Sequence, residues 1–206
     1  MVRIRYIPLP DRYRDERANR LIPRSDVRQG VDRLADLVSD ELGHLTERML
    51  DGDLTLAEWQ AGAMGLIKAG HVAAAVVAKG GQAQMTPSDW GRVGRVIRDE
   101  YAYLRRFASA VERAPPPSDA QIAARARLYG QGVRSTYEAV RAREDKLNGY
   151  DQERNVLDRA AESCEMCVEL SALGWVRLGT LPPIGSRTCL MNCRCTIERR
   201  MAAEAA

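Results

Sequence analysis

The chain has 206 residues, of which 45% are hydrophobic and 29% are charged, and its formal net charge is +3. This length suffices for one core-forming domain with appendages, and the apolar content excludes wholesale disorder. A net charge this small creates no general requirement for a nucleic-acid or membrane partner. Because alanine, arginine, glutamate and leucine are abundant, we expect a mainly α-helical protein.

The first 24 residues contain three prolines and many arginines, and they show no helical or strand periodicity. This composition predicts an extended N-terminal arm over residues 1–24, which is either mobile or laid over a neighbouring subunit. The segment also lacks the apolar stretch of a secretory signal, so we expect no secretion.

Residues 25–148 carry the signals of four long helices. In the first, apolar residues recur in steps of three and four from Val27 to Met49. Thr55-Leu56-Ala57-Glu58 has the spacing of a capping box and predicts the start of the second helix, which Gly80-Gly81 ends.

The third and fourth helices have equally clear boundaries. Thr86-Pro87-Ser88-Asp89 combines a capping hydroxyl with a proline at the first helical position, and Pro115-Pro116-Pro117 ends that helix. Ser118 then opens the fourth helix. Short connections between long helices predict an antiparallel helical bundle over residues 25–148.

The second predicted helix contains the most apolar window of the chain, residues 61–78. Alanine and glycine dominate this window, and Lys68 and His71 interrupt it, so it is too weakly apolar to span a bilayer. We therefore interpret it as a buried helix and expect no membrane partner. Its glycines, Gly62, Gly65 and Gly70, predict close packing against another helix.

All five cysteines lie in residues 149–206, where the helical periodicity ends. Cys164 and Cys167 are followed, after a loop of 21 residues, by Cys189, Cys193 and Cys195. Two close-set groups of thiolates joined by such a loop match the tetrahedral shell of a structural zinc ion, with Zn–S near about 2.3 Å. Disulfides and chance clustering are the alternatives, and a reducing compartment disfavours disulfides. The segment is predicted to be a cysteine-rich, zinc-stapled C-terminal module.

Five cysteines compete for four ligand positions on such an ion. We favour Cys164, Cys167, Cys189 and Cys195 as the ligands, with Cys193 as the alternative member of the set. A shell of four thiolates leaves no open position for a substrate, so the zinc is predicted to be structural and the protein is expected not to be an enzyme.

The order of motifs in the tail carries a family resemblance. The motifs are Cys164-x-x-Cys167, Gly174-Trp175, Leu181-Pro182-Pro183 and Asn192-Cys193-Arg194-Cys195. This segment resembles the C-terminal part of tailed-bacteriophage minor head proteins of the Mu F type. One departure is that the family often has a histidine shortly after the two prolines, whereas this chain supplies Cys189 instead.

The resemblance implies a structural role in the head of a tailed bacteriophage. On this hypothesis the protein is a virion component, assembled in the host cytoplasm. It is present in several copies and binds portal and/or major capsid subunits through its helices and its N-terminal arm. The alternative is an intracellular zinc-stapled nucleic-acid-binding protein, in which the arginine pairs Arg105-Arg106 and Arg199-Arg200 would contact phosphate. A zinc hydrolase is a third hypothesis, and it would need an open coordination position.

Overall fold

The structure is a computed structural model that describes residues 4–8 and 11–202. Within these ranges the chain forms five α-helices and six short β-strands. The helices are α1 (Arg24–Leu50), α2 (Leu56–Lys79), α3 (Pro87–Val111), α4 (Asp119–Leu147) and α5 (Glu165–Ala172). The strands are β1 (Ile4–Ile7), β2 (Arg12–Asp15), β3 (Arg20–Pro23), β4 (Gln152–Val156), β5 (Val176–Arg177) and β6 (Thr196–Arg200). The prediction of a mainly helical protein is confirmed.

The predicted capping signals define the starts of three helices. At the start of α2 the side chain of Glu58 accepts a hydrogen bond from the backbone N–H of Thr55, and the backbone N–H of Glu58 donates to the Thr55 hydroxyl. The same reciprocal pair forms at the starts of α3 and α4. Gly80 ends α2 with a left-handed φ of 94°, a conformation that favours glycine. Local chemistry thus sets the helix boundaries.

The main core lies where α1, α2 and α4 meet. Its buried members are chiefly aliphatic and aromatic, including Val31, Leu42, Trp59, Ile67, Leu104, Val133 and Tyr137. The Trp59 indole N–H satisfies its hydrogen bond inside this core by donating to the Thr46 hydroxyl at 2.9 Å. The interior of the bundle is therefore chiefly apolar.

The glycines of α2 differ in what they contact. A Cβ on Gly62 would lie 2.8 Å from Leu45, and one on Gly70 would lie 2.7 Å from Val133. A Cβ on Gly65 would meet nothing within 4 Å. The prediction that all three glycines serve close packing holds for two of them and is wrong for Gly65.

Helix α2 also has the length and apolar composition of a membrane span, with a mean hydropathy of 1.5 over its most apolar window. No other helix in the described part of the chain meets that standard. Trp59, Ile67 and Ala74 on this helix are fully buried against the neighbouring helices. A core helix that is buried inside a protein can have the same length and composition, and it would show the same packing.

The N-terminal segment forms a sheet rather than the predicted extended arm. Strands β1, β2 and β3 pair antiparallel in chain order, and the register places Tyr6 opposite Tyr13. Both rings are buried, and the Tyr13 hydroxyl donates to the carbonyl of Ala78 near the end of α2. The Arg141 guanidinium lies over the Tyr6 ring at 3.7 Å from its centroid. Two tyrosines that alternate with arginines thus anchor a segment whose overall composition is polar.

The C-terminal module is built on a second small antiparallel sheet in the order β5-β4-β6. Its buried centre contains Cys167, Leu181, Ile184, Cys193, Cys195 and Ile197. The central strand β4 pairs with β6 along its full length, from Gln152 opposite Arg200 to Val156 opposite Thr196. This sheet supports the loops that carry the cysteines.

One carboxylate at the end of α4 connects all three parts of the chain. Asp145 is fully buried, and its oxygens accept from Arg24 at 2.9 Å, from Arg141 at 2.5 Å and from Arg199 at 3.4 Å. Arg24 is the first residue of α1 and also pairs with Asp11 of the N-terminal segment, whereas Arg141 belongs to α4 and Arg199 belongs to β6. We call these four residues the Asp145 cluster. Because a buried charge needs an opposite charge beside it, this cluster fixes the module and the N-terminal sheet to the bundle.

Candidate metal centre

The five cysteines come from three separate pieces of the C-terminal module. Cys164 directly precedes α5 and Cys167 lies in its first turn. Cys189 and Cys193 flank the short 3-10 turn Leu190–Asn192, and Cys195 directly precedes β6. Five thiols spread over 32 positions thereby meet at one place.

Two overlapping triads of sulfurs make up this cysteine cluster. The Sγ atoms of Cys164, Cys167 and Cys189 lie within 4.8 Å of one another, and so do those of Cys167, Cys193 and Cys195. Cys167 belongs to both triads and is buried. The prediction that the five cysteines cluster is confirmed, and the group could hold a metal ion.

The spacing of the sulfurs fits thiolate coordination. Cys167 Sγ lies 3.7 Å from Cys189 Sγ and 3.8 Å from Cys193 Sγ. Four thiolates arranged tetrahedrally about 2.3 Å from a zinc ion have their sulfurs about 3.8 Å apart. The observed distances are also too long for disulfide bonds, which require about 2.05 Å. All five cysteines are free thiols in this structure.

The surroundings shift the pKa values of these thiols in different directions. Burial, followed by hydrogen bonds with Cys193, Cys164 and Cys167, raises the pKa of Cys189 well above its usual range. Burial also raises the pKa of Cys167. In contrast, the backbone N–H of Cys167 at the start of α5 lowers the pKa of Cys164. Without a further positive charge, Cys167 and Cys189 therefore favour the protonated form.

Arg187 supplies one positive charge directly beside the cluster. Its side chain is 1% exposed, and its Nη1 lies 3.8 Å from Cys167 Sγ and 3.9 Å from Cys193 Sγ. Among the residues that the structure describes, no carboxylate lies within 4.0 Å of this guanidinium. Arginine stays charged even when buried, and a buried charge is stable only beside an opposite one. The sulfurs supply that opposite charge only as thiolates, which is the form that a bound metal maintains.

Asn155 on β4 holds Arg187 and the helix that carries Cys167 in place. Its amide oxygen accepts from Arg187 Nη1 at 2.7 Å, and its amide nitrogen donates to the carbonyl of Cys167 at 2.9 Å. Arg187 Nε also donates to the carbonyl of Pro182 at 3.0 Å. Sequence reasoning did not identify Arg187 or Asn155. The available signal was that Arg187 lies two positions before Cys189, but only the fold brings Asn155 to it.

Neither histidine joins the cluster. His71 is buried in the bundle, where its Nδ1 lies 2.6 Å from the Thr136 hydroxyl and where burial lowers its pKa to about 4. His44 is exposed on α1 beside Glu47. Neither histidine is therefore positioned to bind a metal together with the cysteines.

The two arginines at the end of β6, Arg199 and Arg200, have different surroundings. Arg199 is buried, and its guanidinium pairs with Asp145 and with Glu138. Arg200 is exposed and lies over the ring of Trp175 at 4.2 Å from its centroid. The expectation that both arginines are available to phosphate is wrong for Arg199, because its charge is already neutralised inside the fold.

The centre is thus a group of sulfur donors with a buried cation beside it. Within the described residues, no carboxylate or imidazole belongs to either triad. Such a donor set suits a soft, closed coordination shell rather than one with an open position. Compared with known proteins, the chain matches no family model, no curated protein and no solved structure.

Proposed function

We propose that the cysteine cluster binds one zinc ion and that this ion has a structural role. Support comes from the all-sulfur donor set, the sulfur spacing and the buried charge of Arg187. Zinc is the metal that structural sites with four thiolates most often hold. When bound, the ion cross-links α5 to the loop before β6. The residues of the chain then orient the ligands, through Asn155 and Arg187.

The ligands that the geometry favours are Cys164, Cys167, Cys189 and Cys193. Cys164, Cys167 and Cys189 share one triad, and Cys167 Sγ lies 3.7 Å from Cys189 Sγ and 3.8 Å from Cys193 Sγ. Cys193 and Cys195 share the other triad with Cys167, and Cys193 is the member whose Sγ lies at the tetrahedral spacing from Cys167 Sγ. We therefore prefer Cys193 to Cys195 as the fourth ligand, which reverses the preference drawn from the sequence.

The function that we propose is that of a structural virion protein of a tailed bacteriophage. The protein would be a minor head protein, present in several copies and bound to portal and/or major capsid subunits. The observation that carries this proposal is the meeting of the cysteine motifs responsible for the family resemblance. Cys189, which stands where the family often has a histidine, joins the same cluster. The substitution therefore keeps a metal ligand at that step of the motif.

We also propose that the four long helices form an antiparallel bundle. Between α1 and α4, Ser39 meets Gly130 and Gly43 meets Arg127, so residue numbers rise in one helix as they fall in the other. The same relation holds between α1 and α2, where Thr46 contacts Trp59 and Val38 approaches Gly70. Such an arrangement would present rigid helix faces to neighbouring subunits.

The virion assignment is tested on purified tailed particles whose genome encodes this chain. Quantitative mass spectrometry should find the protein at a constant ratio to the portal, in several copies per particle. Particles that lack the protein would contradict the assignment.

Zinc is tested separately on the purified chain, for which X-ray absorption should give four sulfurs at about 2.3 Å. Oxygen or nitrogen in the first coordination shell would favour the hydrolase hypothesis instead.

One feature favours the alternative of a nucleic-acid-binding protein. The ring of Trp175 has the guanidinium of Arg154 at 4.7 Å and that of Arg200 at 4.2 Å from its centroid. Aromatic rings beside arginines form stacking platforms for single-stranded nucleic acid. This alternative predicts that labelled single-stranded DNA binds with an affinity that falls steeply with salt and that Trp175→Ala lowers. An affinity that does not change with salt would reject it.

A further inference from the structure

The five sulfurs of the cluster form two sets of three. Cys164, Cys167 and Cys189 make up the first triad, and Cys167, Cys193 and Cys195 make up the second. Among the residues that the structure describes, no four sulfurs lie mutually within the 4.8 Å that unites each triad. A single zinc ion with four thiolates therefore requires the triads to close on each other, and it leaves one cysteine without a metal.

Each triad already has the size of a three-coordinate metal site. At the metal–sulfur distance of a zinc thiolate, about 2.3 Å, three sulfurs placed around one ion in a plane lie about 4 Å apart. Cys167 Sγ lies 3.7 Å from Cys189 Sγ in the first triad and 3.8 Å from Cys193 Sγ in the second. One ion at each triad would use the sulfurs close to where they lie, with Cys167 as a ligand of both ions.

The fold holds the second triad in place through its backbone. All three of its cysteines are buried. Arg28 of α1 donates to the carbonyl of Cys195 at 2.9 Å, and Asn155 of β4 donates to the carbonyl of Cys167 at 2.9 Å. These bonds position the two residues without using their sulfurs. A ligand set that is ordered in advance loses less conformational freedom when it binds an ion.

The donors and the burial of the second triad indicate which metal fits it. Zinc takes four ligands, but within the described ranges no imidazole or carboxylate belongs to either triad. Burial of Cys167, Cys193 and Cys195 also restricts access of water as a fourth ligand. Copper(I) is a soft ion with a filled d shell, which thiolates select and which three of them satisfy. The second triad therefore suits copper(I) better than a second zinc ion.

Arg187 lies where the shells of two such ions would meet. Its Nη1 is 3.8 Å from Cys167 Sγ, which both triads share, and 3.9 Å from Cys193 Sγ, which belongs to the second. Five thiolates carry more negative charge than two monovalent ions neutralise. The buried guanidinium offsets part of this excess at the shared sulfur.

We propose that the cysteine cluster binds two copper(I) ions in place of one zinc ion, with three thiolates around each copper and Cys167 bridging the two. The metal enters and remains as copper(I), so no electron is transferred, and each thiol that binds releases its proton to water. Cys195, which the zinc shell leaves out, becomes a ligand of the second copper. The inference rests on the proposed metal-binding role of the cluster and is independent of the virion assignment.

The test uses the full-length chain, reduced and freed of metal, which is titrated without oxygen with the acetonitrile complex of copper(I). All five cysteines of the chain belong to the cluster, so thiolate-bound copper reports on this site alone. Native mass spectrometry should give two coppers per chain, and X-ray absorption should give three sulfurs around each copper and a copper–copper distance. One copper per chain, more than two, or two without a copper–copper signal would overturn the proposal.

Matched cysteine variants separate the two ions. Cys195→Ser removes a ligand of the second copper only, so the chain should bind one copper and still bind one zinc ion. Cys164→Ser removes a ligand of the first copper and of zinc, so it should also bind one copper but lose affinity for zinc. If Cys195→Ser still takes two coppers, the division of the sulfurs into two sites is wrong.

Arg187→Gln tests the charge beside the shared sulfur. Competition with a copper(I) chelator of known affinity should show that the second copper binds at least about tenfold more weakly, because a buried negative charge loses its partner. The control is Arg177→Gln, which changes an exposed arginine on β5 and should leave affinity within about twofold. Helical circular dichroism of both variants should match that of the unchanged chain. Equal copper affinities of the two variants would contradict the role of Arg187.

The zinc titration distinguishes the possible failures. A chain that binds one zinc ion and only one copper rejects the two-copper site alone. A chain that binds neither metal rejects this inference and the proposed zinc site together. Absence of the protein from particles rejects the virion assignment and leaves the copper stoichiometry unaffected.

Discussion

The buried interior of the helical bundle is built from aliphatic and aromatic side chains, whereas half of the six buried residues at the centre of the C-terminal module are cysteines. The bundle gains its stability from apolar surface removed from water, at about 25 cal/mol per Å². A short segment with three small strands cannot bury enough such surface to fold alone. With the proposed zinc ion, one region folds by burial and the other by cross-linking, and the Asp145 cluster joins them.

Metal removal should give the largest difference between the two regions. Cys167 belongs to both sulfur triads, so Cys167→Ser or a strong chelator should unfold the module. With the proposed zinc ion, the loss is expected to be on the order of 10 kcal/mol of apparent stability, the size of zinc binding in zinc-finger peptides. Hydrogen exchange should show lost protection over residues 152–200 and retained protection over residues 24–147.

The control for this experiment is Cys195→Ser, which removes the thiol that we leave out of the ligand set. It should retain one zinc ion per chain and most of the protection in the module. If Cys167→Ser leaves exchange in both regions unchanged, the division of the molecule into burial and cross-linking is wrong.

The second largest effect should follow from Asp145→Asn, which affects both regions together. Loss of this carboxylate leaves three arginines buried without their shared partner, and breaking buried ion pairs costs about 3–5 kcal/mol. Urea unfolding measures the change. The matched control is Asp40→Asn, which breaks an exposed pair with Arg127 and should cost less than about 1 kcal/mol. Equal effects of the two substitutions would contradict the joining role of the cluster.

Acid should destabilise the bundle through His71. Burial lowers the pKa of this histidine to about 4 in the folded chain, while an unfolded histidine has a pKa of about 6.5. Between these values the unfolded state binds the proton more tightly, so stability falls as the pH falls from about 6.5 to about 4. The full loss is about 3 kcal/mol.

The variant His71→Gln removes this titration and can keep a hydrogen bond to Thr136. Urea unfolding of both proteins between about pH 7 and about pH 4 isolates the contribution of His71 from acid release of the metal, which affects both equally. We expect the difference in stability between the two proteins to shrink toward acid. A difference independent of pH would contradict the assignment.

The smallest effects should come from two glycines on the same helix. Gly70→Ala forces a methyl group to 2.7 Å from Val133 and 3.2 Å from Val38, which should cost about 1–3 kcal/mol. Gly65→Ala meets nothing within 4 Å and should stabilise the helix by about 1 kcal/mol. Thermal unfolding should therefore shift in opposite directions. Shifts of the same sign would show that α2 is packed less closely than its contacts indicate.

Features that depend on nearby residues were predictable from the sequence. The caps at Thr55, Thr86 and Ser118 act within three residues, and they predicted helix starts that the structure reproduces. The cysteine cluster was predictable because sulfur ligands in close-set pairs have few other uses. In the N-terminal segment, the two buried tyrosines Tyr6 and Tyr13 anchor a sheet, but the surrounding arginines and prolines concealed them.

Features that depend on distant contacts were not predictable. Asp145 meets Arg24 and Arg199, which lie 121 and 54 positions away along the chain. The charge of Arg187 faces Cys167 across 20 positions. The order of Cys193 and Cys195 as ligands likewise depends on where the loop before β6 turns. Only the tertiary structure brings these groups together.

The guanidinium of Arg187 has a consequence for how the protein is made in the cell. A chain that receives no zinc must either keep this cation unneutralised in its interior or open the module to water. We expect opening, which offers the loops around Pro182 and Cys189 to host proteases. If the protein has the proposed zinc site and virion role, degradation would then remove empty copies selectively, and zinc supply, rather than synthesis alone, would set how many molecules survive long enough to enter an assembling particle.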